Sequence, residues 1–104
     1  MHMLERLEAA IAERRHASPE ESYVAKLHHK GLAKIAQKLG EEATEAVIAG
    51  LTGDEVDMVE EAADLIFHLL VLLGAREVKL AAVLAELERR EGTSGLDEKA
   101  SRSE

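Results

Sequence analysis

Two pairs of acidic residues stand at helical spacing in the middle of the chain. Glu42 and Glu45 are three residues apart in the segment KIAQKLGEEATEAVIAG, and Glu61 and Asp64 repeat that spacing further along. Residues three apart share one side of a helix, where like charges repel each other. If the two helices pack side by side, the four carboxylates converge at a cost on the order of several kcal/mol. Hard divalent cations prefer carboxylate oxygens, so these four residues are the predicted ligands of a magnesium site.

The neighbours of these acids on each helix extend the two polar faces. At about 100° per residue, Lys34 and Lys38 lie on the same side as the first acidic pair. Asp57 and His68 lie on the same side as the second pair. A solvated acidic face is the more common explanation of any single pair of this kind. A histidine in apolar surroundings, such as His68, is more often a core residue, or a residue that supports a metal ligand, than a metal ligand itself.

Composition favours an all-α domain. The chain has 104 residues, 46% of them apolar, with one Phe, one Tyr, one Pro and no Trp, so Leu and Ala must build the core. Both are strong helix formers. Apolar periodicity predicts about five helices over 3–15, 19–31, 32–49, 54–73 and 76–91. A domain at 1–92 is expected, followed by a small polar tail at 93–104 that we expect to be disordered.

Capping signals define the predicted helix starts. Ser18 is the expected N-cap of the second helix, and Thr52 that of the fourth, each followed three residues later by a glutamate that completes a capping box. Gly31 is expected to end the second helix. Gly40, inside the third helix, costs about 1 kcal/mol relative to Ala and suggests a bend or a close approach by another chain or a ligand. The segment LIFHLLVLL is apolar all round, which predicts burial in a core or between subunits.

Charge and composition exclude several classes of protein. A net charge of −8 opposes binding to bare nucleic acid. The N-terminal segment does not resemble a signal peptide, and no apolar stretch near 20 residues long is present to span a membrane. The chain contains no cysteine, which is compatible with a reducing compartment. We therefore expect a soluble cytoplasmic protein that binds neither nucleic acid nor membrane.

The acids and their flanks resemble a known family. Glu42-Ala-Thr-Glu45 and Glu61-Ala-Ala-Asp64 are similar to the E-x-x-E and E-x-x-D pairs of the all-α, MazG-like nucleoside triphosphate pyrophosphohydrolases. The segments SYVAKL, KIAQKLGEEATEAVIA and EEAADLIFHLLVLL resemble the phosphoribosyl-ATP pyrophosphohydrolase family within that superfamily. The likeness covers about residues 4 to 90. Phe67 stands where the family often has tyrosine.

This resemblance implies an activity and a set of roles. The expected reaction is hydrolysis of phosphoribosyl-ATP between its α and β phosphates, which releases pyrophosphate and phosphoribosyl-AMP, the second step of histidine biosynthesis. Lys34 and Lys38 are expected to bind phosphate oxygens. Glu41, or by the same logic Glu60, is expected to orient the attacking water. Tyr23 and Ser22 are placed near the ribose or the base by the resemblance alone.

The superfamily also implies an assembly, since its members bury apolar helices between subunits. A homodimer is expected, in which two chains complete composite four-helix bundles. Three rivals remain open at this point: a house-cleaning pyrophosphohydrolase acting on canonical or damaged dNTPs, a di-iron carboxylate bundle, and a non-enzymatic acidic helical interaction module. The di-iron bundle needs two E-x-x-H motifs, and the chain has only the one that begins at Glu13.

Overall fold

The computed structural model describes residues 2–91, which form five α-helices. These are α1 (Met3–Arg14), α2 (Tyr23–Lys30), α3 (Leu32–Thr52), α4 (Glu55–Ala75) and α5 (Leu80–Arg90). No strand occurs within the described range, so the predicted all-α class and the number of helices are confirmed. The predicted tail at 93–104 lies outside the described residues. No helix among those described has the length and apolar character needed to cross a membrane.

Helices α3 and α4 form an antiparallel hairpin that dominates the molecule. Each helix has 21 residues, and only Gly53 and Asp54 connect them. The connection needs glycine, because a Cβ at position 53 would lie 2.9 Å from the Ala49 carbonyl oxygen and 2.9 Å from the Asp57 Cβ. So short a link brings the side chains of the two helices together along their length.

The start of α4 differs from the prediction. Asp54, and not Thr52, is the N-cap: its carboxylate accepts a hydrogen bond from the Asp57 backbone N–H at 2.9 Å. The Asp57 carboxylate accepts one from the Asp54 N–H at 3.2 Å, which closes a capping box without Glu55. Thr52 instead belongs to α3, where its hydroxyl donates to the Ile48 carbonyl oxygen at 3.0 Å. The third helix is therefore three residues longer than predicted.

The predicted start of α2 at Ser18 is wrong as well. The backbone N–H groups of Glu21 and Ser22 both donate to the Ser18 carbonyl oxygen, so residues 18–22 form a turn. Ser22 is the N-cap, and its hydroxyl accepts from the Ala25 N–H at 3.2 Å. The turn redirects the chain after α1, and the helix begins only where the backbone becomes extended at Ser22.

Gly31 ends α2, as the sequence predicted, and also precedes the first residue of α3. Its φ of +104° is a conformation that residues with a Cβ rarely adopt. Gly40 lies inside the uninterrupted α3, and a Cβ placed there would have no neighbour within 4 Å. The close approach suggested for Gly40 is therefore not made by the described part of this chain.

The hydrophobic core lies where α1, α2 and the start of α5 pack on one end of the hairpin. Its buried members are Ile11, Val24, Leu27, Ile35, Leu70, Val71 and Leu80. The segment LIFHLLVLL contributes to this core but is not covered on every side by its own chain, because Ile66 and Leu69 remain 42% and 39% exposed. Burial of those two residues stays a prediction that requires a second subunit.

Candidate active site

The hairpin brings three of the four predicted metal ligands together. Glu42 and Glu45 on α3 and Glu61 on α4 each offer a carboxylate oxygen, and these three oxygens lie within 4.8 Å of one another. Glu42 is buried, with 7% of its surface exposed, whereas Glu61 is half-buried and Glu45 is exposed. Both acids of the first pair and one acid of the second therefore converge across the helix interface, which is three of the four carboxylates that the sequence predicted to converge.

Asp64, the fourth predicted ligand, lies outside this closest group. It follows Glu61 by three residues on α4 and is exposed. Its charge nevertheless acts on Glu61, whose pKa it helps to raise. The placement makes Asp64 a neighbour of the three-carboxylate group, and its role as a metal ligand remains a prediction.

The crowding of acids changes the titration of Glu61. Its pKa is raised, first by burial of the carboxyl group, then by the charge of Glu45 and hydrogen bonding with it, and then by Asp64 and Glu42. Ionisation of Glu61 is therefore less favourable than that of an ordinary glutamate, and a cation would offset the neighbouring charges.

Two carboxylate oxygens of this group are suited to bind a cation. Glu42 Oε2 and Glu61 Oε2 are both buried, and neither has a hydrogen-bond partner within the described residues. A buried carboxylate oxygen without a partner is costly. A divalent metal ion would satisfy both oxygens, since magnesium and similar hard cations bind carboxylate oxygens and keep open positions for water and phosphate. The donor set therefore fits a divalent cation.

Lys38 neutralises part of the acidic cluster. Its ammonium nitrogen lies 3.6 Å from Glu41 Oε1 and 3.6 Å from Glu42 Oε1. The pKa of Lys38 is raised, with Tyr23 as the largest cause and the two glutamates contributing. Lys34 lies one turn earlier on α3, half-buried, and its charge helps to lower the pKa of Glu41. Both predicted phosphate-binding lysines thus stand beside the carboxylates.

Glu41 differs from its neighbour Glu42 in its surroundings. It is exposed and accepts a hydrogen bond from the Gln37 side-chain amide at 2.8 Å. That hydrogen bond is the main reason why the pKa of Glu41 is lowered, with Lys38 adding to the effect. Glu60, the equivalent candidate on α4, is also exposed. Both residues can contact solvent water.

A hydrogen-bonded pair next to the acids was not predicted from the sequence. The Tyr23 hydroxyl lies 2.9 Å from His68 Nε2, and His68 Nδ1 lies 2.7 Å from the Asp64 carbonyl oxygen. Burial raises the pKa of the Tyr23 hydroxyl; among nearby charges Lys38 has the largest effect and opposes this shift, whereas Glu42 reinforces it. The two paired residues are separated by 45 positions, so no local pattern could reveal the contact. The expectation that His68 is a core residue agrees with its 5% exposure.

An open cleft of about 430 Å³ adjoins the carboxylates at the turn of the hairpin. Its lining residues are Glu45, Ile48, Ala49, Thr52, Gly53, Asp57 and Glu61. The acids therefore face a space that can admit a ligand, and apolar residues form part of its wall.

Known proteins resemble this chain over nearly all of its length. Residues 4–91 match the family described as phosphoribosyl-ATP pyrophosphohydrolase. The chain belongs to that family. A phosphoribosyl-ATP pyrophosphatase of Novosphingobium aromaticivorans is 70% identical over 101 residues, covering 97% of this chain and 94% of the relative. One of Erythrobacter litoralis is 66% identical over 104 residues, covering both chains completely, and one of Trichlorobacter lovleyi is 53% identical over 103 residues, 99% of this chain and 95% of the relative.

Membership of this family confirms what the flanking segments predicted. The match includes all five helices except Met3, the first residue of α1, and therefore the whole acidic cluster together with Tyr23 and His68. A hydrolase that acts on a phosphoanhydride bond is the class that the sequence predicted, and the family supports that class. The acidic cluster supplies a group of residues that can hold a metal ion.

Proposed function

We propose that this protein hydrolyses phosphoribosyl-ATP to phosphoribosyl-AMP and pyrophosphate with the help of magnesium, which is the second step of histidine biosynthesis. The observation that carries the proposal is the family match over residues 4–91, which encloses a three-carboxylate group at the interface of two helices. Water attacks the α phosphorus, the bond between the α and β phosphates breaks, and pyrophosphate leaves.

The residues that would hold the metal are the two acidic pairs. Glu42, Glu45 and Glu61 have oxygens close enough to share one ion, and Asp64 is a further carboxylate on α4, whose charge acts on Glu61. When bound, a divalent cation neutralises the triphosphate and lowers the pKa of the water that attacks it. The buried, unpartnered oxygens of Glu42 and Glu61 support this assignment, because they present oxygen ligands that the protein itself leaves unsatisfied.

Other residues of the chain bind and orient the reactants. Lys34 and Lys38 would bind phosphate oxygens as point charges. Lys38 already lies 3.6 Å from Glu42, so a phosphate bound there would also be adjacent to the metal ligands. Glu41, whose lowered pKa keeps it ionised, would accept a hydrogen bond from the attacking water, and Glu60 is the alternative for this role.

We also propose that the active protein is a homodimer. Several large apolar residues near the turn of the hairpin are exposed: Val47, Ile48, Leu51, Val56 and Val59. Large apolar side chains exposed near one another in the sequence of a hairpin are typical of a surface that a partner covers. A second copy would cover this surface together with Ile66 and Leu69, and composite helical bundles would result. A monomeric mass in sedimentation at low micromolar concentration would contradict this assembly.

The cytoplasmic location and the lack of nucleic-acid binding remain predictions. The net charge of −8 supports the second of these, because a strongly acidic surface repels a phosphate backbone.

The deciding experiment identifies the substrate and the metal together. The purified protein is incubated with phosphoribosyl-ATP or with a panel of ordinary dNTPs, in magnesium or in a chelator, and the products are followed by phosphorus NMR. We expect pyrophosphate from phosphoribosyl-ATP alone, and only when magnesium is present. Pyrophosphate from the dNTPs alone would move the protein to the house-cleaning class, and turnover in the chelator would contradict the metal requirement. No pyrophosphate from either would favour the interaction module.

A further inference from the structure

Tyr23 and His68 connect the first residue of α2 to the part of α4 that carries Asp64. The tyrosine hydroxyl and His68 Nε2 are 2.9 Å apart, and His68 Nδ1 lies 2.7 Å from the Asp64 carbonyl oxygen. Both distances are those of good hydrogen bonds. The two contacts form a continuous chain from Tyr23 to the backbone of a predicted metal ligand.

The direction of these hydrogen bonds follows from their chemistry. A carbonyl oxygen only accepts, so His68 Nδ1 must carry the hydrogen and donate to Asp64. In the neutral imidazole Nε2 is then the acceptor, and the Tyr23 hydroxyl donates to it. The lone pairs of the tyrosine oxygen remain available as acceptors for another donor.

The arrangement is more specific than core packing requires. His68 is only 5% exposed and lies edge-on to the rings of Tyr23 and Phe67, at centroid distances of 5.6 and 5.2 Å. An apolar side chain could fill this position without the cost of burying two ring nitrogens. Both nitrogens are instead hydrogen-bonded, so the imidazole is fixed in one orientation.

The position of the Tyr23 hydroxyl also ties it to the acidic cluster. The charged groups that act on it are Lys38, Glu42, Asp64 and Glu41. All four belong to the predicted catalytic and phosphate-binding residues. Among them only Lys38 is a cation, and it has hydrogens to donate to the free lone pairs of the tyrosine oxygen.

We propose that Tyr23 and His68 are positioning residues of the hydrolytic site. Their hydrogen bonds join the start of α2 to the turn of α4 that carries Asp64, and they fix the direction of the tyrosine hydroxyl. This role rests on the proposed function, because it concerns the residues assigned there to metal and phosphate. Groups that orient metal ligands typically contribute about 10- to 100-fold to activity or metal affinity.

The test uses substitutions that separate the two nitrogens of His68. His68→Asn keeps a donor near the position of Nδ1 but removes the acceptor for Tyr23. His68→Gln keeps an acceptor near the position of Nε2 but removes the donor to Asp64. Tyr23→Phe removes only the hydroxyl, and it is introduced alone and into both His68 variants.

Two readouts are measured on the full-length protein. The first is kcat and KM for pyrophosphate release from phosphoribosyl-ATP. The second is the affinity of the substrate-free protein for manganese, a spectroscopic substitute for magnesium, measured by electron paramagnetic resonance. Phe67→Leu is the matched control, because it alters the packing against His68 without removing a hydrogen bond. It should lower stability but leave both readouts near those of the wild type.

We expect the effect of Tyr23→Phe on activity to depend on which residue occupies position 68. Tyr23→Phe alone should lower kcat/KM about 10- to 100-fold. Tyr23→Phe should lower kcat/KM by the same factor in the His68→Gln protein. It should cause no further loss of kcat/KM in the His68→Asn protein. His68→Gln should also weaken manganese binding, because the Asp64 carbonyl oxygen loses the hydrogen bond from the side chain at position 68. Circular dichroism confirms folding, and Tyr23→Phe alone suffices if the His68 variants do not fold.

Two results would overturn the proposal in distinguishable ways. An active wild type with unchanged kcat/KM in Tyr23→Phe and unchanged manganese affinity in His68→Gln removes the positioning role and leaves the proposed function intact. A wild type that releases no pyrophosphate overturns the proposed function. In that case the manganese affinities still decide whether the pair orients the carboxylates.

Discussion

The two ends of the α3–α4 hairpin distribute polar and apolar residues in opposite ways. At the core end, defined by residues 32–39 and 65–75, Ile35 and Val71 are 2% and 0% exposed. At the turn end, defined by residues 41–61, Glu42 is buried while Leu51 is 80% exposed. The core end thus buries large apolar side chains, whereas the turn end buries a glutamate and leaves large apolar side chains exposed.

This difference separates the part of the hairpin that stabilises the fold from the part that carries the proposed active site. The core end packs against α1, α2 and α5, and its burial supplies the hydrophobic free energy of folding. At the turn end Lys38 lies 3.6 Å from both Glu41 and Glu42, whereas one buried oxygen each of Glu42 and Glu61 has no hydrogen-bond partner among the described residues. Such an arrangement sacrifices stability for function, and a metal ion and a second subunit are the two partners that would offset the cost.

The largest expected effect comes from substitution of Glu42, the buried acid at the turn end. Glu42→Gln removes one charge and one metal ligand from the three-carboxylate group, so magnesium-dependent turnover should fall about 1,000-fold, or about 4 kcal/mol in transition-state stabilisation. The helical circular dichroism should remain largely unchanged, because glutamine keeps the shape of the side chain. Pyrophosphate release from phosphoribosyl-ATP is the measurement.

The control for this substitution is Glu88→Gln, which neutralises an exposed glutamate on α5. It should leave turnover unchanged. Full activity in the Glu42→Gln protein would show that Glu42 does not hold the metal.

The second effect belongs to the core end. Ile35→Ala should lower the free energy of unfolding by about 2–5 kcal/mol, because it leaves a cavity in a fully packed position. Leu32→Ala, three residues earlier in α3 and 45% exposed, should cost clearly less. Chemical denaturation measures both variants. Equal losses at the two positions would contradict the placement of the core.

The third effect tests whether the apolar surface of the turn end is an interface. Leu51→Asp should convert a dimer into a monomer, because it places a charge in a surface that the second copy would bury. Leu87→Asp on α5, which replaces a leucine that is 56% exposed, should keep the dimer. Sedimentation equilibrium of the two variants distinguishes these outcomes. Dissociation by both substitutions would place the interface elsewhere.

The fourth effect is a pH dependence that arises from the crowding of Glu61. Because its pKa is raised above the ordinary value of 4.5, the folded protein binds this proton more tightly than the unfolded chain does. The associated stability is fully present below the ordinary value and is lost as the pH rises through the raised pKa. Magnesium competes with the proton, so its stabilising effect should increase over the same interval.

Thermal unfolding from about pH 4 to about pH 8, with and without magnesium, measures this dependence. Glu61→Gln should remove most of it, and Glu88→Gln should not. If the stabilisation by magnesium does not change with pH, metal binding does not depend on the ionisation of Glu61.

The smallest effect comes from an exposed ion cluster on α5. Glu86 accepts hydrogen bonds from Arg89 at 2.8 and 2.9 Å and from Arg90 at 2.9 Å, and these lower its pKa from 4.5 to about 2. Its contribution is present above the ordinary glutamate range and is lost as the pH falls toward about 2. The difference in melting temperature between wild type and Glu86→Gln should therefore be small near neutrality and vanish in acid. A difference that grows in acid would contradict this.

The sequence predicted the parts of the structure that depend on periodicity. Five helices, the break at Gly31 and the convergence of Glu42, Glu45 and Glu61 all follow from which residues share a helix face. The spacing of residues along a helix fixes the direction in which each side chain points around the helix axis. A short connection between two helices then fixes which of their faces are in contact.

The errors at the starts of α2 and α4 occurred where several residues compete for one local role, and α5 begins at Leu80, later than its predicted start at position 76. Ser18 and Ser22 can both cap a helix, as can Thr52 and Asp54, and the path of the chain between helices selected the second of each pair. The Tyr23–His68 hydrogen bond could not be predicted, because it depends on how α2 lies across α4. The different burial of the adjacent Glu41 and Glu42 likewise depends on the exact rotation of α3 against α4.

The two-residue link at Gly53 and Asp54 has a consequence for changes in chain length. The capping box fixes α4 at one end and the buried Val71 fixes it at the other, so one residue inserted between Glu61 and Val71 would turn Glu61 by about 100° relative to the core. A single insertion or deletion in this segment of α4 would therefore separate Glu61 from the two glutamates of α3. The length of the hairpin is therefore constrained, because the number of residues between two acids determines whether their carboxylates converge.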